Sequence, residues 1–302
     1  PARAALNVFR GCRSAKLRLI VIDMKQRAFG PTGRQVPVIG LGTWHLDDVE
    51  PKAAEAALHA GLELGMLHVD TAEYYGAVVE ATVGRVVAGR REEIFLVSKI
   101  MPQDATRRGT VSTCEKDLKR IGTDYLDCYL IHWPGSHPLE HSVEGLEELR
   151  EAGKIRSWGV SNFDEQLLAK VLEIAGPGRL ACNQVLYHLQ ERGIEHRVLP
   201  WCEEHGVAVV GYTPFGDGEF PPRGAGGQLL NQIAKARGKT ARQVALAFLT
   251  RKNGLFAIPK SSNAAHVREN AGAAELELEA SELEAIERAF PLGPRRRGVA
   301  ML

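Results

Sequence analysis

The chain has 302 residues, of which 44% are hydrophobic and 25% charged, and its net charge is +1. That length allows one large domain or two small ones. The near-zero charge gives no electrostatic case for a nucleic-acid partner, and no apolar run reaches the roughly 18 residues a membrane helix needs. Five cysteines (Cys12, Cys114, Cys128, Cys182, Cys202) lie scattered without a C-x-x-C. They read as reduced thiols in a cytoplasmic protein, not as a disulfide frame or zinc site.

In chain order, residues 1–23 come first, with Arg3, Arg10, Arg13, Lys16 and Arg18 against one acid, Asp23. Such a leader is either a transit peptide or sequence foreign to the fold, and composition favours the second. Residues 24–302 are then expected to form one domain. Ala28 to Val38, broken at Pro31-Thr-Gly33, reads as a β-hairpin. An alternation follows. Strands are predicted at Val38–Thr43, Met66–Val69, Ile94–Ser98, Tyr125–Ile131, Ile155–Val160, Ala181–Val185, Val207–Tyr212 and Leu255–Pro259. Helical stretches follow each in turn: Pro51–Leu64, Val79–Ala88, Thr106–Ile121, Val143–Glu151, Glu165–Ile174, Ile194–His205, Gln228–Thr250 and Ala264–Ala271. Arg107, Lys116, Lys119 and Arg120 fall on the wet side of the third helix. A final amphipathic helix over Ser281–Ala289 carries a Ser281/Glu284 capping box.

Eight short apolar strands alternating with eight helices predict a parallel sheet covered by helices, and this count and length predict a (β/α)8 barrel, with the hairpin closing its bottom. An open doubly wound sheet would want G-x-G-x-x-G after the first strand. Gly40-Leu-Gly42-Thr-Trp-His45 lacks the third glycine. Barrels place their chemistry at the strand C-termini. There the sequence sets Trp44, Asp70, Tyr75, Lys99, His132, Trp133, Ser161, Asn162, Gln184, Tyr212, Lys260 and Ser261. Alone, an Asp, Lys or His at a strand end is usually a cap or a solvated charge. Together, Asp70, Tyr75, Lys99 and His132 suit proton donation to a carbonyl. A phenol with a pKa of about 10 is a poor acid at neutrality, and a nearby ammonium is expected to lower that value. Asp70 would keep Lys99 charged, and His132 would orient the carbonyl oxygen. Lys260, Ser261, Ser262 and Asn263, before a helix, suit a phosphate.

Three motifs give the chain a resemblance: Gly40-x-Gly42-Thr43-Trp44 followed by Asp70-Thr-Ala-x-x-Tyr75; Leu118-Lys-Arg-Ile-Gly-Thr-Asp-Tyr-Leu-Asp127 leading into Leu130-Ile-His-Trp-Pro134; and Ile258-Pro-Lys260-Ser261 with Arg268-Glu-Asn270. With Gly153-Lys-Ile-Arg156 and Gly159-Val-Ser-Asn-Phe163, they make the chain resemble the aldo-keto reductase family from about Met24 to Leu292, with a likeness to its bacterial diketogulonate-reductase-like members. The resemblance implies a TIM barrel that reduces aldehydes and ketones with a nicotinamide cofactor. It assigns Tyr75 as acid, Lys99 and Asp70 as tuning groups and His132 as orienter, and selects Tyr75 over Tyr74, which is expected to pack or face solvent. For the cofactor it implies Gly42, Thr43 and Asp70; Ser161, Asn162 and Gln184 on the carboxamide; Tyr212 stacked on the ring; Thr213, Phe215 and Gly216 along the pyrophosphate; Lys260, Ser261, Ser262 and Asn263 at a 2′-phosphate; and Glu269 and Asn270 at the adenine. The family commonly has Arg where this chain has His266, so NADPH is expected over NADH by a reduced margin.

Trp44 and Trp133, with Tyr75 and His132, are the expected substrate walls; Trp158 and Trp201 are expected in the core. Short segments at Pro134–His141 and Pro291–Leu302 predict an open mouth admitting varied small carbonyl substrates, and Arg295 to Arg297 a solvated tail. Ala77–Val83 is about two residues longer than the family pattern, which a local bulge would absorb. A monomer with no metal is expected. Two alternatives stand beside the reductase: a cofactor-binding regulatory subunit of the same fold with little turnover, and a metal-dependent hydrolase, for which strand one lacks an H-x-H pair.

Overall fold

The computed structural model describes residues 24–302; the basic leader and Cys12 lie outside the described residues. A hairpin of β1 (Gln26–Ala28) and β2 (Gln35–Pro37) precedes eight parallel strands: β3 (Leu41–Gly42), β4 (His68–Asp70), β5 (Phe95–Ile100), β6 (Leu126–Ile131), β7 (Ile155–Ser161), β8 (Leu180–Leu186), β9 (Ala208–Tyr212) and β10 (Leu255–Ala257). Each pairs with the next in order. Bridges from Ile39 to Ala257 and from Gly42 to Lys260 join the first strand to the last and close the barrel.

Ten helices accompany the strands among the described residues: α1 (Pro51–Glu63), α2 (Ala77–Val87), α3 (Arg107–Ile121), α4 (Leu139–Glu151), α5 (Glu165–Ala175), α6 (Val198–His205), α7 (Ala225–Arg237), α8 (Ala241–Leu249), α9 (Ala264–Ala271) and α10 (Ala280–Ala289). The stretch predicted as continuous helical material at Gln228–Thr250 divides at Gly238, whose φ of 60° stops α7. Thr240 and Gln243 then form a capping box that restarts the chain as α8. The last helix begins at Ala280, and its capping box is Glu279 with Glu282, not Ser281 with Glu284. Arg120 also departs from expectation. It leaves the wet face of α3 to pair with Glu80 and Asp117, two carboxylates buried between α2 and α3. Burial raises both acids, Asp117 to about 8, so the guanidinium compensates charge that would otherwise be stranded in the core.

Strand periodicity sorts the core into two layers. Phe95 and Val97 of β5, Cys128 and Leu130 of β6, Ala208 and Val210 of β9, and Phe256 of β10 fill the barrel interior. Their neighbours Leu96, Ile100, Tyr129, Ile131, Val209 and Leu255 pack outward beneath the helices. The hairpin inserts Phe29 into the lower end, fully buried, with its ring centroid 4.6 Å from Phe95 and 5.1 Å from Phe256. Aromatic surface thus plugs the barrel interior from below. Trp158 is core, as expected, and donates to Glu147 at 2.8 Å. Trp201 is only half-buried and stacks on His205, with 4.0 Å between centroids.

Candidate active site

The same period of two builds the site. One step above each inward core residue comes a functional group: Asp70 after His68, Lys99 after Val97, His132 after Leu130, Gln184 after Cys182, Tyr212 after Val210. Strand geometry therefore delivers side chains distant in sequence to one layer at the C-terminal rim.

Lys99 is at the centre and is 0% exposed. Its Nζ donates to Asp70 Oδ1 at 2.6 Å, to the Thr71 carbonyl at 2.8 Å and to Tyr75 Oη at 3.2 Å. These contacts use all three ammonium hydrogens. Asp70, equally buried, takes a second bond on Oδ2 from Gln184 Nε2 at 2.7 Å. Its backbone carbonyl accepts from Thr43 Oγ1 at 2.9 Å. Tyr75 arrives from outside the sheet. Thr71 and Ala72 continue from β4, one 3-10 turn over Glu73–Tyr75 follows, and Gly76 at φ 92° lets the chain pass directly into α2. The Ala77–Val83 stretch expected to hold a local bulge is regular helix: α2 runs unbroken from Ala77, and Val78 in its first turn is exposed.

The electrostatics correct one expectation. Burial tends to lower Lys99, but Asp70 and Tyr75 outweigh it, so its pKa stands above the ordinary lysine value and the ammonium is charged. Burial raises Asp70, with Lys99 and Gln184 opposing. Burial also raises Tyr75, with Lys99 opposing and Asp70 reinforcing, so the phenol lies above 10 and not below it. Lys99 compensates the cost of removing tyrosinate from water without overcoming it. Tyr75 is a neutral phenol whose oxygen already accepts from Lys99, and its own hydrogen is uncommitted. Burial and then Lys99 push His132 down to about 3, so its imidazole is neutral.

Asp70, Tyr75, His132 and Gln184 line a cavity of about 610 Å³, and Lys99 sits behind them, outside the lining. Trp44 and Trp133 form walls, as expected. Tyr74 is a wall too, standing edge-on to His132 and to Trp133 at 6.0 Å while 58% exposed. Sequence reasoning passed over Tyr74 because family spacing gives the chemistry to its neighbour. It also missed His45, Pro214 and Ile258. Met301 and Leu302 line the cavity as well, so the tail expected to leave the mouth open returns across it. Arg192 donating to the Phe290 carbonyl, Arg296 beside Glu191 and Val299 against the core guide that return. Three non-glycine residues adopt positive φ among the described residues: His45, Asn162 and Thr213. All three line this cavity, a concentration of backbone strain where precise placement matters.

The expected cofactor groups divide in two. Gly42, Thr43, Asp70, Ser161, Asn162, Gln184, Tyr212, Thr213, Phe215, Gly216 and Lys260 line the cavity. Asn162 is largely committed within the protein. Its Nδ2 donates to the His132 carbonyl and to Ser161 Oγ, and its Oδ1 accepts from Tyr212. Gln184 spends Nε2 on Asp70 and keeps Oε1 for an incoming donor. Ser261, Ser262, Asn263, His266, Glu269 and Asn270 lie beyond the cavity lining, along the start and body of α9. Asn263 caps that helix by accepting from Ala265 N at 2.8 Å, and Ser261 Oγ accepts from Asn263 N. Asn270 is 2% exposed, and its Oδ1 has no partner among the described residues. The set fits an elongated ligand with an amide-bearing ring at Tyr212 and Gln184 and an anionic end near Lys260 and α9.

No helix of the described residues is long and apolar enough to cross a membrane. Residues 38–290 match the Aldo/keto reductase family. Methylglyoxal reductase YeaE of Escherichia coli is 42% identical over 260 residues, covering 85% of this chain and 92% of that protein. A glyoxal reductase of Bacillus subtilis is 31% identical over 256 residues, covering 84% and 89%. Among solved structures, an aldo-keto reductase from Klebsiella pneumoniae in complex with NADPH is 40% identical with a TM-score of 0.85, covering 92% of this chain and 99% of that one. The chain belongs to the aldo-keto reductase family.

Proposed function

We propose that this protein reduces small aldehydes and ketones, 1,2-dicarbonyls foremost, to alcohols with NADPH, and that Tyr75 supplies the proton. The contact that carries this reading is the 3.2 Å approach of Lys99 Nζ to Tyr75 Oη above a buried Asp70. The substrate class follows from the methylglyoxal and glyoxal reductases among its relatives and from a pocket walled by Trp44, Tyr74 and Trp133.

When bound, NADPH would supply hydride to the carbonyl carbon. The chain's own residues do the rest. Trp44, Tyr74 and Trp133 exclude water around the carbonyl. The Nδ1 of His132 is buried without a partner among the described residues, and an unpaired acceptor there costs less than an unpaired N–H. The ring proton therefore belongs on Nε2, which can donate to the carbonyl oxygen and hold its face. As charge develops on that oxygen, Tyr75 gives up its uncommitted hydrogen, and Lys99, already donating to the phenol oxygen, stabilises the tyrosinate formed. Asp70 keeps Lys99 charged through that step. Ser161 and Gln184 would hold the carboxamide and Tyr212 would face the ring.

This reading is tested by NADPH oxidation with methylglyoxal, glyoxal and unactivated aldehydes; a failure of every carbonyl tried to oxidise NADPH would sink it. The pH profile is a second check. Burial places His132 at about 3 and Tyr75 above 10, so both keep their working protonation state across neutrality. The hydride-transfer rate is expected to be flat from about pH 6 to 9, with no inflection near the ordinary histidine value of about 6.5. Cofactor choice is a third. Lys260→Ala is expected to weaken NADPH by about tenfold or more, the worth of a hydrogen bond to a charged group, and NADH far less. Equal losses for both coenzymes would remove the 2′-phosphate from Lys260.

A further inference from the structure

The lower end of the barrel carries a second cavity, of about 340 Å³, remote from the reaction site. Four guanidinium groups line it, each from a different part of the chain: Arg34 after the hairpin turn, Arg150 near the end of α4, Arg156 at the start of β7 and Arg179 before β8. Two carboxylates engage these arginines. Glu147 holds Arg150 and Arg179. Asp127 lines the cavity as well, and is almost fully buried. Its Oδ2 accepts from Leu96 N and lies 2.8 Å from a fifth guanidinium, that of Arg91. Its Oδ1 is buried, with Arg34 no nearer than 3.7 Å. Arg156 has no carboxylate within ion-pairing distance among the described residues. Its guanidinium lies 4.1 Å from the Tyr125 ring centroid, and Arg91 lies 3.9 Å from the same centroid.

Four guanidiniums thus line a cavity of small-molecule size and a fifth stands behind it, against two carboxylates, and Arg156 is paired with neither. Concentrated like charge costs free energy unless an anion offsets it. The side chains are also arginine throughout, the planar donor suited to two oxygens of one phosphate. Glu147 fixes two of them and Tyr125 braces a third, so the site is ordered before any ligand arrives. We propose that this cavity binds a compact phosphate-bearing anion, as free phosphate or as a small phosphorylated metabolite, with Arg156 as the principal free donor and Arg34, which also donates to the Glu92 carbonyl and faces Asp127, as a second.

Calorimetric titration of the full chain, saturated with NADPH so that cofactor-site phosphate contacts are occupied, tests this with inorganic phosphate, inorganic pyrophosphate and glycerol 3-phosphate as probes. One-to-one binding is expected. Arg156→Gln and Arg34→Gln should each weaken it by about tenfold or more, with NADPH affinity and carbonyl reduction unchanged in both and the thermal midpoint unchanged in Arg156→Gln. Those unchanged properties show that each variant is folded, and they separate this site from the reductase reading. Tighter binding of glycerol 3-phosphate than of phosphate identifies a metabolite; the reverse identifies the free anion. Absence of binding at millimolar probe, or affinities unaltered in both variants, overturns the proposal. Arg156→Lys keeps the charge and loses the planar fork, and should fall between. Full retention in that variant, with binding abolished by moderate salt, would reduce the effect to diffuse attraction and equally overturn it.

Discussion

Tyr75→Phe is expected to lower the turnover of carbonyl reduction by about 10²–10⁴-fold, the usual contribution of a positioned general acid, while NADPH still binds. The substitution removes one oxygen atom. The ring stays in the 3-10 turn, and Lys99 retains Asp70 and the Thr71 carbonyl as acceptors, so fold and charge pair should survive. What is lost is the hydrogen for the developing alkoxide and the oxygen on which the third ammonium donor acts. Stopped-flow measurement of hydride transfer, beside a fluorescence titration with NADPH, separates the two. A loss confined to coenzyme affinity would assign Tyr75 to binding, and a near-normal rate would take it out of the chemistry.

Lys99→Met is expected to do more harm, to stability as well as to activity. Asp70 would stay buried with only Gln184 as a side-chain partner. Breaking a buried pair from one side costs about 3–5 kcal/mol. That cost should vary with pH in a defined direction. Burial already raises Asp70 above its ordinary value of 3.8, and loss of Lys99 removes the main opposing influence. A native state that binds a proton more readily than the unfolded chain gains stability as pH falls. The variant should therefore be least stable, relative to the parent, above the native pKa of Asp70, and recover as pH falls toward 4. The double change Lys99→Met/Asp70→Asn removes the stranded charge, so it should regain part of the lost stability and none of the activity. Urea titrations of the three proteins at pH 5 and 8 check this. A single variant as stable as the parent at pH 8 would show that the pair is not what keeps Asp70 ionised.

The barrel and its four central groups were legible because both depend on short periods. Strand alternation carries inward positions from Val97 to Lys99 and from Leu130 to His132, so a strand end read from sequence already names the group at the rim. What escaped depended on contacts between distant segments. Arg120 sits at a wet position of its helix by spacing, yet Glu80 on a neighbouring helix and Asp117 below it draw it inward. Met301 and Leu302 reach the cavity because Arg192, Arg296 and Val299 redirect the tail, and no local pattern encodes that return. The expected lowering of the Tyr75 phenol failed for a related reason. Proximity to Lys99 can be read from the motif, whereas the depth of burial that outweighs it belongs to the assembled fold.

Replacing Tyr75 alone with a ring-fluorinated tyrosine, and following single-turnover reduction of methylglyoxal by NADPH as pH rises, tests the role of the phenol most directly. Fluorine makes the phenol more acidic and leaves its shape almost unchanged. If the hydrogen delivered to the alkoxide comes from this residue, the alkaline fall in rate should move to lower pH with each added fluorine. An alkaline limb that stays in place across the series would show that another group gives the proton.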